Sequence, residues 1–410
     1  MSAQLKILHI SAHLGGGVGK AHSALCHADG PDISRHYLLL EEPRDPRYAD
    51  AIRAAGGTIT IQPDAETATR LVEQADILQI EWWNHPRLYA YLCQSRLPAA
   101  HTVIWSHISG LFAPYIPTGL FAAAQRFLFT SACSLEAPAL QTLSPETQAS
   151  LGVINSGFGF GASAEPTLER AGRVGYLGTV DFSKLSPDFF GVIDRAGLNR
   201  PVSIWGDVDA GSDVLRRADT MRRREAVHFH GHCDDPEAAL RQMGIFLYLL
   251  QPHHFGTAEN ALIEAMSLGC VPLVFDNPAE RAIVDHGRTG FVESSVASAA
   301  KRLNWMLRNP DAIVAMGREA SRAMANTRTA QMTAADFATL YRELLTEPKR
   351  EIDFTAILGK TPADWFLSTQ GSAPTNAGLS GAARKGTLNH FAHCFPNDAS
   401  LKKLSPAAFS

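Results

Sequence analysis

Apolar residues recur along this chain in short, nearly unbroken runs, separated by longer stretches in which they return every third or fourth place. Runs of that kind read as strands buried on both faces, and the stretches between them as helices packed on a sheet. The strand candidates are Lys6–Ile10, His36–Leu40, Thr58–Ile61, Ile77–Ile80, Val103–Ser106 and Arg126–Thr130. A second series follows with Val174–Leu177, Val202–Trp205, Val227–Phe229, Ile245–Leu250 and Val271–Phe275. This alternation predicts two α/β domains with parallel sheets. The join falls near residues 160–172, where Gly159-Phe160-Gly161-Ala162-Ser163-Ala164-Glu165-Pro166 breaks the periodicity. Ala299–Leu307 and Ala334–Leu345 read as late amphipathic helices.

From Glu347 onward the chain turns Gly/Ser/Ala-rich, with apolar islands at Pro362–Leu367 and Leu388–His393. Trp365, Phe366, Phe391 and Phe395 are too apolar for a solvated extension, so the islands are expected to dock onto the folded domains, beside the cleft between them. The Gly/Ser spacers around 371–381 are expected to stay mobile.

Composition agrees with two soluble domains. A chain of 410 residues, 45% of them hydrophobic, exceeds one compact core. No apolar stretch approaches the ~18 residues of a membrane span. The first strand begins almost at the N-terminus, which leaves no room for a signal peptide and points to the cytoplasm. Six scattered cysteines without CxxC spacing read as reduced thiols. Net charge is 37 − 41 = −4, which gives no global attraction for nucleic acid.

The chemistry concentrates between residues 245 and 274. The run Ile245-Phe246-Leu247-Tyr248-Leu249-Leu250 leads through a polar loop, His254-Phe255-Gly256-Thr257-Ala258-Glu259, into a helix carrying Ala261, Glu264, Ala265 and Leu268 on one face. Gly269 suits the left-handed C′ position, and Val271-Pro272-Leu273-Val274 is the next strand. A helix N-terminus just outside a strand's carboxyl end is where open α/β sheets bind anions.

Glu264, Ala265, Met266, Gly269 and Pro272 resemble the donor-binding motif of retaining GT-B glycosyltransferases of family 4, the glycosyl transferases of group 1. That motif holds a further Glu eight places earlier, where this chain has Gly256. Glu259 and the pair His253-His254 lie nearby, out of that position. The resemblance implies donor contacts from Glu259, Asn260, Ala261 and Glu264, with Glu264 accepting from the ribose hydroxyls.

Other segments follow in the order of the same family. The loop Leu14-Gly15-Gly16-Gly17-Val18-Gly19-Lys20 lacks the Gly and the Ser/Thr of a Walker A loop and the spacing of a dinucleotide fingerprint. It resembles the Gly-rich loop after the first strand, which would bring Gly16 and Gly17 to the donor; a turn with no ligand is the alternative. His107, at the end of Val103–Ser106, resembles the family's histidine that touches the donor sugar, against a purely structural histidine. Gly178-Thr179 and Lys184 resemble a Gly-Arg pair with Lys six places after the Gly, both cations serving the leaving diphosphate; Thr179 stands in place of the Arg. Glu280-Arg281-Ala282-Ile283-Val284-Asp285-His286-Gly287-Arg288-Thr289-Gly290 also matches a family segment.

Three features stay open. His228, His230, His232 and Cys233 invite zinc, though the ligand spacing is poor. Trp82-Trp83 could stack on an acceptor sugar or belong to the core. Arg216, Arg217, Arg222, Arg223 and Arg224 could face an anionic surface or form a solvated helix face.

The resemblance implies an α/β GT-B fold of two Rossmann-like doubly wound domains facing a cleft, with a C-terminal extension. Its parts are an acceptor-side domain at 1–165, a donor domain at 166–330, a helix at 331–346 returning to the first, and the extension at 347–410. It implies a metal-independent retaining hexosyltransferase without cofactor, with catalytic roles for His107 and Lys184. A nucleotide-diphosphate sugar would be donor, and a glycan, lipid-linked or small-molecule hydroxyl acceptor, with room for peripheral contact at the inner membrane face. A relative that binds nucleotide sugar without efficient catalysis, or one that epimerises it, would share the architecture.

Overall fold

The computed structural model describes residues 4–43, 45–157, 165–254, 256–371 and 386–404. The chain divides into two compact units. The first comprises Met1–Gly157, Phe255–Ala258 and Ala330–Ser410; the second comprises Phe158–His254 and Glu259–Thr329. The expected join at 160–172 lies partly outside the described residues.

The first unit holds strands β1 (Leu5–Ser11), β2 (Ile33–Leu39), β3 (Thr58–Ile61), β4 (Ile77–Trp82), β5 (Thr102–Ser106), β6 (Arg126–Phe129) and β7 (Leu151–Val153). They form one parallel sheet in the order β3-β2-β1-β4-β5-β6-β7. The second unit holds β8 (Val174–Leu177), β9 (Val202–Trp205), β10 (Val227–Gly231), β11 (Ile245–Tyr248), β12 (Val271–Phe275) and β13 (Phe291–Glu293), again parallel, ordered β10-β9-β8-β11-β12-β13. Each sheet reverses its winding between its first strand and its fourth, the arrangement of a Rossmann-like doubly wound fold. The short edge strands β7 and β13, and the helix Pro310–Thr327, were not among the expected elements.

Every residue of β4 is buried, and its alternation sorts two environments. Leu78, Ile80 and Trp82 face a core shared with Leu8, Ile10, Ile104 and Phe127. Ile77, Gln79 and Glu81 face the other way, where Ile7, Val103 and Trp105 pack with Phe337, Tyr341 and Leu344 of the helix Ala330–Leu344. The tail islands dock on the first face. The helices Phe354–Leu358, Pro362–Leu367 and Leu388–Cys394 pack against the helix Pro86–Gln94. Trp365, Phe391 and Leu401 are completely buried there. Burying each such side chain contributes about 1.5–3 kcal/mol, and Thr369 O accepts from Tyr115 N at 2.7 Å. The spacer expected to be mobile lies almost wholly in 372–385, outside the described residues.

Trp82 and Trp83 are core residues, the second of the two readings the sequence left open for them. Trp82 Nε1 donates to Asn84 Oδ1 at 2.9 Å, and Asn84 Nδ2 donates onward to Pro114 O and Tyr115 O. No helix among the described residues is long and apolar enough to cross a membrane.

Candidate active site

The loop after β8 carries Lys184 and is fastened to the end of β11. Leu185 bridges Leu250, Ser186 N donates to Leu249 O at 3.0 Å, and Gln251 N donates to Lys184 O at 2.8 Å. These backbone bonds hold Lys184 beside Tyr248, its Nζ 5.6 Å from that ring's centroid. From the other side comes Glu259, the residue before the helix Asn260–Ser267. Lys184 Nζ lies 3.2 Å from Glu259 Oε2, which also accepts from Tyr248 Oη at 2.6 Å.

Glu259 is held at φ 41°, ψ 58°, a left-handed conformation that costs a side-chain-bearing residue on the order of 1–3 kcal/mol. Its carboxylate turns toward Lys184 and does not cap its own helix. The first-turn N–H groups of Asn260 and Ala261 are thereby left to whatever binds at that end. Both residues are half-buried. Glu264 lies one turn along the helix and is 3% exposed. Gly269 has φ 73°, as the C′ reading requires.

Three further groups join the cluster. His254 sits with Nδ1 3.6 Å from Glu259 Oε1 and Nε2 3.2 Å from Glu280 Oε2. Asn277 Nδ2 donates to Glu280 Oε1 at 3.0 Å. Burial alone would raise the Glu259 carboxyl, but Lys184, His254 and the Tyr248 hydrogen bond outweigh it and hold the group below its ordinary value. Burial would lower the His254 imidazole; the two carboxylates overcome that and raise it, against opposition from Lys184. Tyr248, His254 and Glu280 had drawn no site role from the sequence. Tyr248 is hidden inside an apolar strand run, and the partnership of His254 with Glu280 forms only when β12 lies beside β11.

The remaining expected site residues belong to the first unit. Gly16 and Gly17 open the helix Gly16–Ala28 and are exposed; Gly16 adopts φ 58°. His107 follows β5, with its side chain 7% exposed and Nε2 2.7 Å from Glu81 Oε2. The same carboxylate receives His9 Nδ1 at 2.8 Å, Gln79 Nε2 at 2.9 Å and His22 Nε2 at 3.0 Å. Burial would raise Glu81, yet these surroundings hold it well below the usual carboxylate range. Burial depresses His9 to about 3, and Arg35 Nη1 stands 3.0 Å from its Nε2.

Neither histidine cluster of the first unit suits a metal. His9, His22 and Glu81 share their space with the Arg35 guanidinium. His13 and His85, which gather with Glu41, each use Nδ1 to accept a backbone N–H, from Gly15 at 3.0 Å and Arg87 at 3.2 Å. That tautomer places the ring proton on Nε2, whereas a ligating histidine donates from its second nitrogen. In the second unit His230 is stacked on Trp205, ring centroids 4.3 Å apart, and His232 pairs with Asp207 at 3.1 Å. Arg216, Arg223 and Arg224 pair with Asp213, Glu225 and Asp219 on an exposed surface, as a solvated face does.

Residues 195–323 match the model of the family described as glycosyl transferases group 1. That segment includes His254, Glu259, Glu264 and Glu280 and stops short of Lys184. No curated protein matches the chain by sequence. Among solved structures the chain is similar to HepE of Anabaena in complex with UDP and glucose, at 14% identity and TM-score 0.63, covering 83% of this chain and 100% of that one. It is similar to the lipopolysaccharide outer core galactosyltransferase WaaB in its apo form, at 15% identity and TM-score 0.63, with 83% and 100% covered. Sucrose-phosphate synthase from Thermosynechococcus elongatus gives 16% identity and TM-score 0.59, with 84% and 100% covered. The fold is GT-B, and its second unit carries the match to glycosyl transferases group 1.

Proposed function

We propose that this protein transfers a glycosyl group from a nucleoside-diphosphate sugar to an acceptor hydroxyl, with retention at the anomeric carbon. The observation that carries the reading is Lys184, fastened to the end of β11 and 3.2 Å from the residue that opens the helix Asn260–Ser267. A cation and a helix N-terminus together, at the carboxyl ends of β8 and β11, suit a diphosphate.

In this reading Glu264 accepts from the ribose hydroxyls, while the N–H groups of Asn260 and Ala261, with Lys184, take the diphosphate. As the bond between C1 and the phosphate oxygen breaks, its electron pair passes to the β-phosphate, where Lys184 acts most strongly. The acceptor oxygen bonds C1 on the same face and its proton goes to the departing phosphate. No step needs a metal or cofactor. His107 would meet the sugar, and Gly16 and Gly17 would admit the donor closely. The HepE complex with UDP and glucose favours UDP-sugars as first candidates, with a glycan, lipid-linked or small-molecule acceptor.

Incubation with UDP-, GDP- and ADP-sugars, followed by release of the nucleoside diphosphate, tests the reading. Turnover of one donor is expected; absence of both turnover and binding across the panel would overturn it. One observation favours a second reading, a catalytically impaired nucleotide-sugar binder: Glu259 already occupies Lys184. Such a protein would bind nucleotide yet neither transfer nor hydrolyse the donor.

A further inference from the structure

We propose that His254, as an imidazolium clamped between Glu259 and Glu280, is the residue that keeps the donor-phosphate site attractive to anions. The inference rests on the donor site argued above. Its ground is a count of charges in a buried cluster. Glu259 and Glu280 are 3% and 0% exposed and bring two negative charges to the cluster, Glu259 beside Lys184 and Glu280 beside His254. Lys184 alone would leave that cluster net negative, and a diphosphate would be repelled from it.

His254 is 5% exposed, and each of its nitrogens faces a different carboxylate. Nε2 hydrogen-bonds Glu280 at 3.2 Å and Nδ1 faces Glu259 Oε1 electrostatically at 3.6 Å, so both carboxylates favour the protonated ring, which carries a hydrogen on each nitrogen. With that proton the cluster is neutral, and Glu259 divides its charge between His254 and Lys184. Tyr248 adds a hydrogen bond to Glu259 and Asn277 one to Glu280, neither bringing charge at neutral pH. The imidazolium therefore stands as a second cation in the same loop as the helix N-terminus, where Thr179 offers none. His254 acts through Glu259 and is a positioning residue.

The sign of the pH effect follows. The carboxylates raise the His254 pKa above its usual 6.5, so the ring holds its proton to higher pH than a free imidazole does. Above that pKa the cluster gains a net negative charge, and diphosphate affinity falls as pH rises.

Calorimetric titration of UDP into the full-length protein, between roughly pH 7 and pH 9.5, reads this directly. The terminal phosphate of UDP is already ionised there, since such groups titrate near ~6. Affinity should weaken roughly tenfold across the range, on the order of 1.4 kcal/mol. His254→Gln should bind more weakly at pH 7 and lose the slope. Glu280→Gln, which keeps the ring but removes one carboxylate, should move the midpoint to lower pH. A slope that is flat in the wild type, or identical in His254→Gln, would overturn the inference while leaving the donor site intact. No UDP binding at any pH in the wild type would overturn the donor site and this inference with it.

Discussion

Each unit buries one glutamate at the centre of a polar cluster, and the two differ in what surrounds them. Glu81 is fully enclosed, hydrogen-bonded by His9, Gln79 and His107, with His22 Nε2 3.0 Å away as an ion-pair partner. Three hydrogen bonds and that ion pair give both of its oxygens partners. Glu259 is just as buried, yet one of its partners, Lys184, leaves 27% of its side chain in solvent, and among the described residues its Oε1 has no hydrogen bond. A cluster partnered on both oxygens fixes geometry. A cluster with one solvent-facing cation and one underused oxygen can exchange partners when a ligand arrives.

The largest expected effect breaks the first cluster. Glu81→Leu strips three histidines and Gln79 of their common partner and should destabilise the first unit by about 3–5 kcal/mol, as loss of one member of a buried charged network does. Glu259→Gln should cost less, about 1–2 kcal/mol, because Lys184 can turn into water. Urea unfolding of both variants checks the ranking, and equal losses would erase the distinction between the clusters.

Next in size is the response to pH, where the units should oppose each other. His9 has its folded pKa depressed to about 3, so the unfolded chain binds that proton more readily. Its stabilising contribution is complete above ~6.5 and disappears as pH falls toward 3. His254 is raised, so its contribution is complete below ~6.5 and disappears as pH climbs through the folded value. Hydrogen exchange at pH 5 and pH 9 should show peptides around β1 and β4 loosening in acid and those around residues 250–284 loosening in alkali. Parallel behaviour of the two regions would contradict the assignment.

The strands of both units were legible because parallel sheets write themselves as apolar runs, and β3, β8, β9 and β12 begin and end where the runs do. Three elements were not. β7 and β13 have three residues each, too short for a pattern. The helix Pro310–Thr327 packs Gly317 so tightly that a Cβ there would lie 2.4 Å from Gly269 O, and a close approach built on Gly and Ala leaves a faint apolar stripe. Glu264 and Lys184 stood out because they fall on a recognisable motif. Tyr248, His254 and Glu280 did not, because only the neighbouring positions of β8, β11 and β12 bring their segments together. The two tryptophans stayed ambiguous because the sequence does not show that Asn84, with its left-handed backbone, turns the chain after β4 with Trp83 buried.

Smaller effects sharpen the second cluster. Glu264→Ala should weaken UDP binding by about 1.5–3 kcal/mol, the range for a hydrogen bond to a charged group. Unchanged affinity would make Glu264 a helix-packing residue. Lys184→Met should lower kcat more than it raises the donor KM, because the leaving charge is largest in the transition state. A change confined to KM would give Lys184 a binding role only.

The central claim is that a nucleoside diphosphate is held by the open cluster of the second unit and not by the closed one of the first. Hydrogen exchange with and without saturating UDP, which has no sugar to reach His107, tests this most directly. Protection is expected in the peptides spanning Gly178–Leu185 and Glu259–Glu264, with those around Glu81 unchanged. Protection confined to the Glu81 region, or none in any peptide, would contradict the account.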